Sequence, residues 1–389
     1  MNGGDSRPEA PRRLRVVELG SWLAAPGAAA LLADIGAEVI KIEPPSGDPG
    51  RRFIAAMGGA AETTPSFSLL NRGKKSVVLD LQQKRDHDLL SRLLFDADVF
   101  VTNLRAGSLA RLDLEPDTVR ARYPQLIFAS ISGLGLRGPE RDLPVYDVGG
   151  FWARSGLMHQ LVPSDGIPPS PTGGFGDLIT SLSLYSGIVT ALLERQRTGK
   201  GSLVETSLMQ AGAFMVSGDL AVQASHGRVH GQSIRSESRT PLVNSYRSSD
   251  GRWFFLTCVE ARRHLPKVCK AIGRTDLIKD PRFATAKSIR SHGRELVAIL
   301  DEAFSQMTLA QWAQRFTEAD VWWQAVATPE DVLKDPQVLA NDMTRLVGDG
   351  TGIHPMVTSP FQLSRGQSAV ARAPDLGEHT DEVLRELSQ

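Results

Sequence analysis

Cysteine is scarce in this chain: Cys258 and Cys269 are the two in 389 residues, with no C-x-x-C spacing around them. A disulfide scaffold or a structural zinc site is therefore not expected, and the eight histidines show no ligand spacing, so no metal is assigned. Charge of one sign is also missing. Lys+Arg 44 balance Asp+Glu 44, so no global basic field exists to hold nucleic acid, and any anion needs a local cluster. Long hydrophobic runs are absent too. The apolar stretch from Leu14 to Ala33 follows Arg12-Arg13 like an export signal, but Glu18 interrupts it, Pro26-Gly27 breaks it and Asp34 closes it. Its uninterrupted runs are too short to span a bilayer, so a cytoplasmic protein without a membrane partner is expected. What remains, 41% hydrophobic and 23% charged residues, describes an ordinary globular protein. At about 150 residues per domain the length predicts two or three domains.

Residues 1–11 read as a polar, disordered tail. From Leu14 a pattern sets in. Arg15-Val16-Val17-Glu18-Leu19 predicts a strand, an Ala/Leu-rich segment opened by Pro26 and closed near Gly36 predicts a helix, and Glu38 to Ile42 predicts a second strand. Strand, helix and strand in so little chain is a βαβ unit, which implies a parallel sheet with a right-handed crossover. Further strands are expected at Ser76–Asp80, Ala97–Val101, Leu126–Ser130 and Ser202–Thr206, with helices over Lys84–Phe95 and after Asp177. The stretch 226–240 is rich in Ser, Arg and Gly and reads as a linker. Beyond it, Tyr246 to Leu256 carries an Asp-Gly hairpin signal at Asp250-Gly251, followed by helical segments. The division expected is a large α/β domain over 12–225, a small α+β domain over 241–328, and a return of 329–389, with helices and Pro-containing turns, to the large domain.

A βαβ opening invites a nicotinamide-dinucleotide reading, which needs G-x-G-x-x-G at the first turn. Here that turn is Gly20-Ser21-Trp22-Leu23-Ala24-Ala25-Pro26, with one glycine and two bulky residues where a pyrophosphate would approach. No Walker A sequence occurs either, and no nicotinamide cofactor is expected.

Six segments, in order along the chain, together resemble the class III CoA-transferases. They are Val17-Glu18-Leu19 through Glu43 with Gly47-Asp48, Asn71-Arg72-Gly73-Lys74-Lys75-Ser76, Asn103-Leu104-Arg105-Ala106-Gly107, Gly174-Phe175-Gly176-Asp177, Arg197-Thr198-Gly199-Lys200-Gly201 and Ala373-Pro374-Asp375-Leu376-Gly377-Glu378-His379-Thr380. The resemblance implies an enzyme moving coenzyme A from an acyl-CoA to a free carboxylic acid. It implies an α/β fold in which a large Rossmann-like domain, with a parallel sheet, is built from both chain ends beside a smaller central α+β domain, in an interlocked homodimer. It places the aspartate nucleophile on Asp177, an acidic helper on Asp147, and CoA contacts on Lys75, Asn103, Leu104, Arg105 and Arg111. Two features differ from oxalate-type members: Leu23 stands where they carry glutamine, and their Gly-rich flap has no counterpart. The stretch Tyr146 to Gly156 is closer to members acting on larger aryl, branched or dicarboxylic acids.

The chemistry needs a carboxylate that can become an anhydride and then a thioester, with water excluded and no ATP or metal required. Each residue also has a plainer reading. Asp177 precedes a helix and could be its N-cap, and Asp147 could likewise be a cap. The glycines before Asp177 would free backbone N–H groups for an oxyanion, and the helix's positive end would favour its ionised form. Arg72-Gly73-Lys74-Lys75 is either a phosphate-binding cluster or a solvated turn, and Arg111 either a phosphate contact or a surface arginine. Trp152, Trp322 and Trp323 either pack or line an acyl pocket. Two rival functions stay open. An acyl-CoA racemase uses a His-Asp pair where this chain has Tyr146-Asp147, so it would lack the group that titrates near neutrality. A catalytically silent CoA-binding protein would lack the nucleophile, and Asp177 is present.

Overall fold

The computed structural model describes residues 13–52, 64–162, 166–227, 234–348, 353–364 and 371–388; the expected tail, 1–11, lies outside them. The βαβ reading of the N-terminal segment is correct. Strands β1 (Arg15–Leu19), β2 (Glu38–Glu43), β3 (Lys75–Val78), β4 (Val99–Thr102), β5 (Ile127–Ser132) and β6 (Leu203–Ser207) form one parallel sheet in the order β3-β2-β1-β4-β5-β6. Consecutive side chains of a strand face opposite sides. Val16, Val99, Val101 and Ile127 accordingly enter one core with the Ala-rich α1 (Ala24–Asp34), and Val17, Phe100 and Phe128 enter another beneath α2 (Lys84–Phe95). Both faces are covered, as all-parallel sheets require.

This unit takes in both chain ends, with residues to 159, 170–229 and 337–389. All six strands of this sheet lie between Arg15 and Ser207, however, and the C-terminal end adds cover to it rather than a further parallel strand. His379 N donates to Ser76 O at 3.0 Å, Gly377 N to Ser76 Oγ at 2.9 Å, and Val78 N to Thr380 Oγ1 at 3.1 Å. These bonds dock the start of the C-terminal helix, Thr380–Glu386, on β3 and satisfy an edge that would otherwise stay open. An antiparallel pair, β10 (Thr344–Gly348) with β11 (Ile353–Val357), also lies in this unit where only helices and turns were expected.

The second unit comprises residues 160–169 and 230–336. The Asp-Gly hairpin is present as β7 (Val243–Arg247) and β8 (Trp253–Thr257), and β9 (Trp323–Ala325) adds a third antiparallel strand that the sequence reading lacked. Its core is aromatic: Tyr246, Phe254, Phe304, Trp312 and Phe316 pack together, with Trp312 Nε1 donating to Phe304 O at 2.9 Å.

Candidate active site at the carboxyl ends of β1 and β4

In the strand order β3-β2-β1-β4-β5-β6 the direction of winding reverses between β1 and β4, and the crevice outside the carboxyl ends of such a pair is where open α/β sheets bind ligands. The residues leaving those two strands interlock. Asn103, just after β4, accepts from Ser21 N at 3.0 Å through Oδ1 and donates to Ser21 O at 2.8 Å through Nδ2. Leu104 follows it, and Arg105 is exposed at the N-cap of the short helix Ala106–Arg111. Arg111, at that helix's far end, is exposed and donates to Ser108 Oγ.

The helix α3 (Phe175–Thr198) brings Asp177 to the same neighbourhood. Its inner face, including Thr180, Leu184, Ile188 and Ala191, is buried, and α1 packs along it. By length and composition alone this helix also matches a membrane span, a weak criterion that core helices meet as well. Its N-cap is Gly174, at φ 90°, and Asp177 lies one turn inside. The N-cap reading of Asp177 is thus incorrect. The capping carboxylate comes instead from Asp147, whose Oδ2 accepts from Gly174 N at 2.9 Å.

Asp147 precedes a π-helical turn, Val148–Ala153, that buries Phe151 and Trp152. Its buried Oδ1 faces the Gly176 and Asp177 amides and the Trp152 indole, without a hydrogen bond of good geometry to any of them. Gly176 is required here, because a Cβ would lie 2.1 Å from Asp147 Oδ1 and 2.2 Å from Phe151 Cγ. The expectation that the glycine run leaves its amides free is therefore met only in part, since Gly174 N–H is taken.

The electrostatics also differ from the sequence reading. Burial, and then the negative charge of Asp147, push the Asp177 carboxyl up to about 7. These two effects outweigh the positive end of the helix, so near neutrality Asp177 is divided between acid and carboxylate. Burial likewise raises Asp147, against the opposing pull of the Gly174 and Gly176 amides. No cation among the described residues contributes to the shift at Asp177.

Around the pair stand aromatic rings. Phe175 leans on Trp152 at 5.4 Å with 52% of its surface exposed, and Tyr146, 72% exposed, meets Trp22 edge-on at 6.1 Å. Trp152 therefore borders the site, whereas Trp323 packs against the core of the second unit, and Trp322, half-exposed in the same unit, lies 4.6 Å from His264.

The basic cluster at 72–75 is neither a solvated turn nor a phosphate cradle at the crevice. Arg72 is buried in a two-pronged pair with Asp34, at 2.9 and 2.5 Å. Lys74 Nζ is fully enclosed by Glu18 Oε2 at 2.6 Å, Pro26 O at 2.9 Å and Asn71 Oδ1 at 2.9 Å. The ammonium of Lys75 pairs with Glu38 at 2.9 Å and Glu382 at 2.8 Å, at the amino ends of the strands. The structure thus brings Asn103, Leu104 and Arg105 to the crevice and places Lys75 on the opposite edge of the sheet.

Sequence reasoning missed a buried charge network for which the acidic and basic residues within predicted strands were the available signal. Lys41 Nζ lies 2.7 Å from Glu18 Oε1 and 2.9 Å from Asp48 Oδ2, and all three are buried. Burial opposes ionisation of Glu18, but Lys41 and Lys74 together hold it below its ordinary value. Lys41, beside two carboxylates, is pushed up despite its burial. Lys74 has one carboxylate and a neighbouring lysine, and burial takes it down to about 8.

A doubly wound sheet without a nucleotide-binding glycine run, with a partly buried carboxylate raised by a second one at its switch-point crevice, defines an α/β enzyme equipped for carboxylate chemistry. The chain belongs to CoA-transferase family III, whose model matches residues 12–380. It is 35% identical over 382 residues to (R)-2-hydroxy-4-methylpentanoate CoA-transferase of Clostridioides difficile, covering 96% of this chain and 94% of that protein. It is 33% identical to cinnamoyl-CoA:phenyllactate CoA-transferase of Clostridium sporogenes, covering 96% and 92%. The crystal structure of a CAIB/BAIF family protein from Brucella suis superposes with TM-score 0.85 at 29% identity, covering 96% and 98%. The chain is thus a family III CoA-transferase enzyme.

Proposed function

We propose that the enzyme transfers coenzyme A between an acyl-CoA and a free carboxylic acid through a covalent intermediate on Asp177. A carboxylate oxygen of Asp177 attacks the thioester carbonyl, the C–S bond breaks and CoA leaves as thiolate, giving a mixed anhydride. The thiolate then attacks the Asp177 carbonyl carbon. The anhydride C–O bond breaks, the first acid departs, and CoA is held as an aspartyl thioester. The incoming carboxylate attacks that carbonyl and expels the thiolate again. Attack of the thiolate on the new acyl carbon yields the product acyl-CoA and restores the Asp177 carboxylate. No proton or water enters the net reaction, and an acyl bond of high transfer potential is kept throughout.

The observation that carries this reading is the partly buried Asp177, one turn inside a helix whose end is tied down by Asp147. Burial weakens the solvation that would otherwise blunt a carboxylate nucleophile. Asp147 acts as the acidic partner by fixing the helix start and setting the protonation of Asp177. Asn103, Leu104 and Arg105, with Arg111 beyond, provide the contacts for CoA at the crevice. Lys75, already held by Glu38 and Glu382 with Glu386 at 3.7 Å, supports the sheet edge instead. The exposed faces of Phe175 and Tyr146 offer apolar surface to an acyl tail. We further propose that the active form is a homodimer with no stable folded monomer.

The test is a panel of acceptor acids offered with acetyl-CoA and succinyl-CoA, with mass spectrometry of the CoA products. New acyl-CoA formed without net loss of thioester supports transfer. Free CoA alone, or inversion at the α-carbon without exchange, contradicts it.

A further inference from the structure

The turn between β1 and α1 is clamped at Ser21 and at Trp22, and the second clamp comes from a group outside the crevice. Ser21 is held by Asn103. Trp22 has φ 66°, a left-handed conformation that is an outlier for so bulky a side chain and persists only where its surroundings impose it. What imposes it is visible. Asp48 Oδ1 accepts from Trp22 N at 3.1 Å and from Gly50 N at 2.8 Å, tying the β1 turn to the loop after β2. Asp48 is itself 3% exposed and fixed from behind, its Oδ2 lying 2.9 Å from the buried Lys41 ammonium. With Trp22 turned in this way, its ring meets Tyr146, the residue before Asp147. The Leu23 side chain reaches across to Gly174, its Cδ1 lying 2.9 Å from where a Cβ there would be. Gly174 is the residue whose amide Asp147 holds.

From this geometry we infer that Asp48 is a positioning residue for the transfer reaction. By anchoring Trp22 in its strained conformation it sets Leu23 against Gly174, and so fixes the head of the Asp177 helix relative to the crevice formed by Ser21 and Asn103. This rests on the transferase reading above and adds a residue that touches neither substrate. Its role is geometric registration, with the buried network of Glu18, Lys41 and Lys74 as its footing.

The experiment compares Asp48→Ala with Asp48→Asn and Trp22→Gly, each confirmed folded by its thermal midpoint. Asp48→Asn keeps an oxygen for the Trp22 and Gly50 amides. Trp22→Gly removes the aromatic ring and the steric reason for an anchor without touching the buried charges. Asp48→Ala is expected to lower transfer kcat at least tenfold with KM for acyl-CoA within twofold, and to raise the ratio of thioester hydrolysis to transfer as the site loosens. Asp48→Asn should recover most of the transfer rate and the low hydrolysis ratio. Trp22→Gly reaches φ 66° without strain and keeps the amide that Asp48 holds, so it should make transfer less dependent on Asp48. Asp48→Ala/Trp22→Gly should then be less impaired relative to Trp22→Gly than Asp48→Ala is relative to wild type. Transfer within twofold of wild type in Asp48→Ala, or an equal loss on removing Asp48 whether residue 22 is Trp or Gly, would overturn the inference. So would an Asn variant as impaired as the Ala variant, or a loss confined to KM. Wild-type enzyme that hydrolyses acyl-CoA but transfers to no acid would instead count against the transferase reading itself.

Discussion

Asp147 Oδ2 accepts the Gly174 amide proton at 2.9 Å, so the helix carrying Asp177 begins on a carboxylate supplied from 27 residues earlier in the chain. One group thereby fixes the start of that helix and opposes ionisation of Asp177, the proposed nucleophile. A carboxylate that titrates near 7 is a stronger nucleophile than one that titrates near 4 and a poorer leaving group once acylated, and near neutrality it is divided between the attacking carboxylate and the inert acid.

This arrangement predicts a pH profile. Attack requires the carboxylate form, and Asp177 titrates at about 7, so kcat/KM for acyl-CoA should rise with pH through that value and fall on the acid side. Asp147→Asn keeps an acceptor for Gly174 N–H but removes the neighbouring charge, so the limb should move to lower pH while burial still holds it above the ordinary carboxylate range. Initial rates between pH 5 and 9 check this. A flat profile, or a shift to higher pH, would contradict it.

Stability should respond to the same carboxyl. The folded-state value of Asp177, about 7, lies above its unfolded value of 3.8, so its contribution to stability is complete below the unfolded value and is lost as pH rises through 7. Asp177→Asn should therefore be the more stable protein at pH 8, by ~1–2 kcal/mol after allowance for partial exposure, and nearly equal to wild type at pH 4. Urea unfolding at both pH values measures the difference. A variant less stable than wild type at pH 8 would show that Asp177 ionises without penalty.

The placement of cations separates two sets of residues. Removing a charge that holds a CoA phosphate costs about 1.5–3 kcal/mol, so Arg105→Ala and Arg111→Ala should each raise KM for acyl-CoA about tenfold or more, with little change for the acceptor acid. Lys75→Ala should leave both constants unchanged and lower only stability, because its partners are Glu38 and Glu382. A selective rise in acyl-CoA KM for Lys75→Ala would return that residue to the CoA site.

How far the sequence carried the account depends on the range of the interactions involved. Val17 and Glu38 to Ile42 revealed the parallel sheet because apolar runs bounded by turn residues are local signals. The roles of Arg72 and Lys74 were not legible, because a lysine in a turn and a lysine paired inside the protein look alike until Glu18, 56 residues away, is placed beside it. The direction of the Asp177 shift was hidden for the same reason: helix polarity is local, whereas burial and the proximity of Asp147 are products of the fold. β9 and the β10–β11 pair escaped because strands of three to five residues with few buried positions carry little periodicity.

The buried network has its own energetic signature. Glu18→Gln leaves Lys74 enclosed with neutral acceptors alone, and breaking one partner out of a buried ion pair costs about 3–5 kcal/mol. Lys74 titrates at about 8 when folded and at 10.5 when unfolded, so its unfavourable charge is relieved, and stability recovers, as pH rises between those values. In the variant, recovery should begin at lower pH. Denaturation midpoints from pH 6 to 10 follow this directly, and a variant as stable as wild type across that range would mean the network carries no net stabilisation.

The most direct test of the central claim is chemical trapping on Asp177. Wild-type enzyme incubated with acyl-CoA and quenched with hydroxylamine or borohydride should carry a single modification, mapped by peptide mass spectrometry to Asp177. Asp177→Asn, which keeps the shape but removes the nucleophile, should remain folded, carry no modification and lose transfer by several orders of magnitude. An unmodified Asp177 in turning-over enzyme, or an Asn variant that transfers CoA at near the wild-type rate, would contradict the covalent mechanism.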